Sequence, residues 1–95
     1  MAVAFDDGRP WALDDRVALR AEAFGALAYH FGTRRLSFLK HPQLVRVIEA
    51  LGEQPTAAAA MRAAGVLPDH RSAMTRALAT LADTGMIVPR AEPTA

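Results

Sequence analysis

Residues 25–40 read GALAYHFGTRRLSFLK, two arms of alternating apolar character around a Gly-Thr pair, which is the pattern of a β-hairpin. With Gly32 and Thr33 as the central turn residues, Gly32 would supply the positive φ that a type II′ turn needs at its first position. Counting outward sets Tyr29 opposite Leu36 and Leu27 opposite Phe38 on one face, with His30 opposite Arg35 and Ala28 opposite Ser37 on the other. The first face is greasy and the second polar. A slip of one residue would move every large apolar side chain into water, so the expectation is that Leu27, Tyr29, Leu36 and Phe38 turn toward the core.

Upstream, VALRAE at 17–22 alternates as a half-buried strand, and Ala23, Phe24 and Gly25 turn it into the hairpin. Three strands joined this way form an antiparallel meander. Residues 1–10 carry no period and read as a flexible N-terminal arm, while Trp11 and Leu13 are expected to fold over the core as a lid. Downstream, the period lengthens after Lys40. Pro42 follows His41 as a first helical residue, Leu44, Ile48 and Leu51 recur at helical spacing, and Gly52 ends the helix. Thr56 caps a second, alanine-rich helix that runs to Gly65. A third begins at Pro68 and Asp69, buries Met74, Ala77, Leu78 and Leu81, and stops at Gly85. Met86, Ile87 and Val88 pack back as an extended segment, and residues 90–95 form a tail. The expected fold is α+β and winged helix-turn-helix-like, a three-stranded antiparallel meander followed by three helices, with one domain at 11–89.

A chain of 95 residues with 52% hydrophobic content is large enough for one core. No apolar run approaches the roughly eighteen residues of a membrane span. Asp6 and Asp7 stand where a secretory signal would be basic, and cysteine is absent, so a cytoplasmic location is expected. A net charge of +1 is small for a protein held to nucleic acid by its phosphates.

Catalytic chemistry finds little footing. His30, His41 and His70 fall on separate elements without metal-pair spacing, Asp6/Asp7 and Asp14/Asp15 are adjacent solvated acids, and no glycine-rich phosphate cradle exists. Catalytic residues, metal and cofactor are therefore all expected to be none. What remains is the third strand, which has no later strand to cover its far side. Two readings are open there: its main chain receives a peptide as an added strand, or the third helix, the N-terminal arm or the charges of Arg34, Arg35 and Lys40 protect it. On the third helix Arg71, Thr75, Leu78 and Ala82 make a stripe at the border of the buried face, which reads either as a groove wall or as an ordinary core-to-surface transition. The helix pair over 56–84, with Arg71 and Arg76 on the second member, keeps a DNA-binding winged helix as the alternative. Pairing of third strands between two copies keeps a homodimer open as well.

The run VALRAEAFGALAYHFGTRRLSFLK, the following HPQLVRVIEAL, the Pro-Thr pair at 55–56 and the closing TLADTGMIVP together resemble the mycofactocin biosynthesis peptide chaperones. That family is similar to the pyrroloquinoline-quinone peptide chaperone and carries the RiPP recognition element. The resemblance spans residues 11–89 and is most specific over FGALAYHFGTRRLSFLK. It implies a non-catalytic module that holds a precursor-peptide leader by β-strand addition. The leader is then presented to a radical S-adenosylmethionine (SAM) maturase, which in this branch modifies the precursor's C-terminal Val-Tyr. Carried onto this chain, the resemblance implies a clamp made by the backbone of Arg35, Leu36, Ser37, Phe38 and Leu39, with Arg71, Met74, Thr75 and Leu78 opposite. It implies neither a nucleic-acid nor a membrane partner. A proline at Ser37 is expected to weaken binding if the Ser37 N–H faces the open side.

Overall fold

A computed structural model of the chain describes residues 4–91; the first three residues of the expected arm and the last four of the expected tail lie outside the described residues. The elements run β1 (Trp11–Leu13), β2 (Val17–Glu22), β3 (Gly25–His30), β4 (Leu36–Leu39), α1 (Pro42–Leu51), α2 (Ala57–Ala63), a 3-10 turn (Pro68–His70), α3 (Arg71–Asp83) and β5 (Ile87–Pro89). The architecture is α+β, with the antiparallel meander β2-β3-β4 followed by three helices.

The hairpin register is the one counted from the sequence: Tyr29 faces Leu36, Leu27 faces Phe38 and Ala28 faces Ser37. Its turn differs. The connection is a four-residue loop, 31–34, in which the Arg34 N–H donates to the His30 carbonyl at 2.7 Å and Arg34, not Gly32, takes the left-handed φ of 62°. His30 still stands opposite Arg35, as a two-residue loop would set it, so the register survives the change of turn; its N–H now donates to the Arg35 carbonyl, which makes 30/35 and not 31/34 the closing bonded pair. Gly32 serves another purpose. Its N–H and that of Thr33 both donate to His30 Nδ1 at 3.0 Å, and a Cβ at Gly32 would stand 2.8 Å from His30 Cε1.

The sheet is turned over relative to expectation. Ala26, Ala28, His30 and Leu39 are buried, whereas Leu36 and Phe38 are exposed. Behind the inward face stands α1, which contacts β3 and β4 and buries Leu44, Val47, Ile48 and Leu51. Bulky helix side chains pack on small alanines, and a layer of Tyr and Phe in their place would overfill the space. The polar member of that face, His30, is accommodated because its ring nitrogen has the two loop N–H groups as donors.

The lid is a strand. β1 pairs antiparallel with β5, Trp11 with Pro89 and Leu13 with Ile87, in a second sheet of two strands. Trp11 is buried, stacks at 5.0 Å on Phe5 and donates its indole N–H to the Asp6 carbonyl. The segment before it is bonded as well: the Ala57 and Ala58 N–H groups donate to the Arg9 and Asp7 carbonyls, and the Ala59 N–H to Thr56 Oγ1. Three of the orphan donors at the start of α2 are thereby satisfied, two of them by a stretch read from sequence as an arm. α2 and α3 both end in the paired hydrogen bonds of a Schellman turn, at Gly65 and Gly85. No helix among the described residues is long and apolar enough to cross a membrane.

Candidate functional site

β4 is the outer strand of its sheet, paired with β3 alone. Because 30 and 35 are a bonded pair, alternation along an antiparallel ladder makes 28/37 and 26/39 the next bonded pairs. The N–H and C=O groups of Leu36 and Phe38 therefore point away from β3. Among the described residues no main-chain group donates to or accepts from them across that edge. Ser37 faces β3, so a proline there would damage the sheet itself and does not probe the open side.

Two hollows locate α3 along this strand. One, a groove of about 520 Å³, is lined by His41, Gln43 and Leu44 just after β4 and by His70, Ala73, Met74 and Ala77. The other, about 400 Å³, places Arg35 at the start of β4 with Ala82, Asp83, Thr84 and Gly85. The start of α3 thus shares a hollow with the residues just after β4, and its last turn shares one with the residue just before it.

Of the α3 residues named from sequence, Met74 lines the groove. Leu78 is fully buried in the core. Arg71 and Thr75 line a separate depression with Asp7, Ser72 and Arg76, where Arg71 Nη2 stands 3.9 Å from Asp7 Oδ2. The groove is lined instead by His70, Ala73, Met74 and Ala77, on the opposite border of the buried face of α3 from Arg71 and Thr75. His41 and His70 were legible only as isolated histidines; they come to line one groove in the assembled fold.

The hairpin and the first turns of α1 carry charge of one sign. From Ala23 to Ile48 the chain has no acidic residue, while Arg34, Arg35, Lys40 and Arg46 are all exposed. Behind the loop, Arg16 Nε and its backbone N–H donate to Asp14 Oδ1 at 3.1 and 2.8 Å, and Asp14 Oδ2 lies 3.8 Å from His30 Nε2. The Arg16 guanidinium first, and its backbone N–H second, hold the Asp14 carboxyl below its ordinary 3.8. This trio braces the hairpin and is not arranged as a nucleophile with its base. Among the described residues no group of three or more His, Cys, Asp or Glu could hold a metal ion.

The family model described as the peptide chaperone MftB family matches residues 10–88. The chain is similar to the peptide chaperone MftB of Mycolicibacterium smegmatis, 46% identical over 87 residues that cover 92% of this chain and 85% of that protein. It is also similar to the MftB peptide chaperones of Mycobacterium ulcerans (47% over 89 residues, 94% and 82% of the two chains) and Mycobacterium tuberculosis (46% over 86 residues, 90% and 79%). No solved structure matches the chain.

Proposed function

The chain belongs to the peptide chaperone MftB family, a non-catalytic role, and from that membership we propose that it takes the leader of the mycofactocin precursor peptide as an added strand on β4 and delivers it to a radical SAM maturase. The observation that carries the proposal is the unpartnered outer edge of β4, which leads into the groove between residues 41–44 and the start of α3. A visiting strand would bond to the main chain of Leu36 and Phe38, while Arg35, Ser37 and Leu39, whose main chains face β3, hold the strand in its sheet behind that edge. Its side chains on the inner face would meet Leu44, Ala73, Met74 and Ala77. Arg71 and Thr75 lie outside this groove, and Leu78 supports it from beneath.

Strand addition suits delivery. Main-chain bonds ask little of the guest's side chains, so a leader can be held without a deep pocket. Fixing a flexible precursor costs chain entropy, and a carrier that binds both leader and enzyme raises the effective concentration of the reacting end to the millimolar range typical of short tethers, about 1 mM. An affinity near micromolar, about 8 kcal/mol, holds the leader and still releases it.

The test is a titration of the isotopically labelled chain with the leader peptide. Amide shifts are expected along β4 and at Ala73, Met74 and Ala77. Shifts confined to the exposed face of α3, or retention of random duplex DNA at low salt with no response to leader, would overturn the proposal in favour of a nucleic-acid role.

A further inference from the structure

The face of the sheet that turns away from the core is apolar and open. Phe24, Phe31, Leu36 and Phe38 are 39%, 63%, 54% and 62% exposed. They form one surface with Leu27 and Tyr29: Phe38 lies across from Leu27 and 6.1 Å from the Phe24 ring, and Leu36 lies across from Tyr29, whose ring meets Phe31 edge-on at 4.8 Å. We infer that this outer sheet face is the docking surface for the maturase, which would meet it with an apolar patch rimmed by acidic side chains. The inference rests on the delivery function proposed above and adds where the second partner binds.

Three observations favour that occupant. With about 200 Å² for a large side chain, the four exposed residues present on the order of 400 Å² of apolar surface. That matches the largest apolar patch of an ordinary monomer and about half of the ~800 Å² that each partner buries in a standard interface, so it fits the apolar centre of a complex whose rim is polar. The rim here is cationic. Arg34 and Lys40 flank the patch without a nearby acid in sequence, and the Glu22 carboxylate on the β2 side is engaged by Arg20 at 3.0 Å. A second copy would bring like-charged rims together, whereas an acid-rimmed partner gains from them. Finally, β4 contributes Leu36 and Phe38 to the patch through their side chains and the open edge through their main chain. A protein seated on the face would lie directly beside a leader added at the edge.

The experiment uses the full chain, the Phe24→Ser/Phe31→Ser double variant, the leader peptide and the purified maturase. Both substituted side chains are exposed and lie off β4, and unchanged leader affinity together with an unchanged circular dichroism spectrum establishes that the variant is folded. The expected result is a loss of maturase affinity of about tenfold or more, as for truncation of a central interface residue, with leader affinity unaltered. Unaltered maturase affinity in a variant that still binds leader overturns the docking face and leaves the strand-addition reading standing. Sedimentation showing a wild-type dimer that the double variant abolishes, with maturase affinity unaltered, also overturns it and gives the face to a second copy. A wild-type chain that binds maturase through this face but takes no leader supports the docking face and overturns strand addition.

Discussion

Gly25 opens β3 at a φ of +145°, and a Cβ built there would overlap the Leu39 carbonyl oxygen of the neighbouring strand. Both the backbone region and the close approach demand glycine, so Gly25→Ala is expected to cost more than about 2 kcal/mol in a denaturant titration, with the midpoint falling and the slope retained. Asp14 governs the acid side. Its folded pKa is depressed by Arg16, so the charged form stabilises the fold above the unfolded value of 3.8 and that contribution disappears as pH falls through the lower folded value. Asp14→Asn should therefore be less stable than the wild type at about pH 5, and melts on a descending pH series should show the two converging. At this scale sequence reading is uneven. Gly32 was legible as special, yet its role comes from the nearby His30 ring and not from a positive φ, and the left-handed residue is Arg34, which carries no compositional sign of it. His30 reads as polar-face and is buried, because its loop donors become visible only when the turn is built.

The hairpin shows what a strand pattern does and does not determine. Pairing follows from alternation and from the distance between arms, so the partners of residues 27–29 were readable. Which face turns inward depends on the helix behind it: α1 brings the bulk, and the alanine face of β3 receives it. α2 was readable from its cap and its glycine stop, but the backbone acceptors from Asp7 and Arg9 that complete its first turn were not, since nothing in that stretch is periodic. For the candidate site, the place of β4 at the sheet edge was readable from strand order, whereas the side of α3 that lines the groove was not, since the two borders of its buried face look alike on the wheel. The edge itself can be tested with Leu36→Pro against Leu36→Ala. Both lose the side chain, but only proline removes the outward N–H, so leader affinity should fall about fivefold to tenfold further in the proline variant, the worth of one net hydrogen bond. Equal affinities for the two variants would contradict pairing at that amide.

One core runs through the described residues, and β1 is tied across it to the end of α1 by Arg90. Its guanidinium donates to the carbonyls of Trp11, Leu51 and Gln54, joining β1 to the end of α1, and its own N–H donates to the Pro10 carbonyl. Read from sequence as the start of a tail, the residue answers carbonyls of β1, of the last residue of α1 and of the loop after it, which only the assembled fold brings within reach. Arg90→Ala should destabilise by about 2 kcal/mol in thermal or chemical unfolding, and Arg90→Lys should recover little, because an ammonium cannot reach three diverging acceptors as the planar fork does. The β1–β5 clasp, with Pro10 and Arg90 one hydrogen bond apart, has a topological outcome. Since β1 and β5 bring residues 10 and 90 to a single spot, a linker that runs from Ala91 back to Phe5, keeping the segment bonded to α2, and a cut between Phe31 and Arg34 should yield a circular permutant that still folds. By the same geometry the unit could be spliced into a surface turn of an unrelated host without prying that host apart.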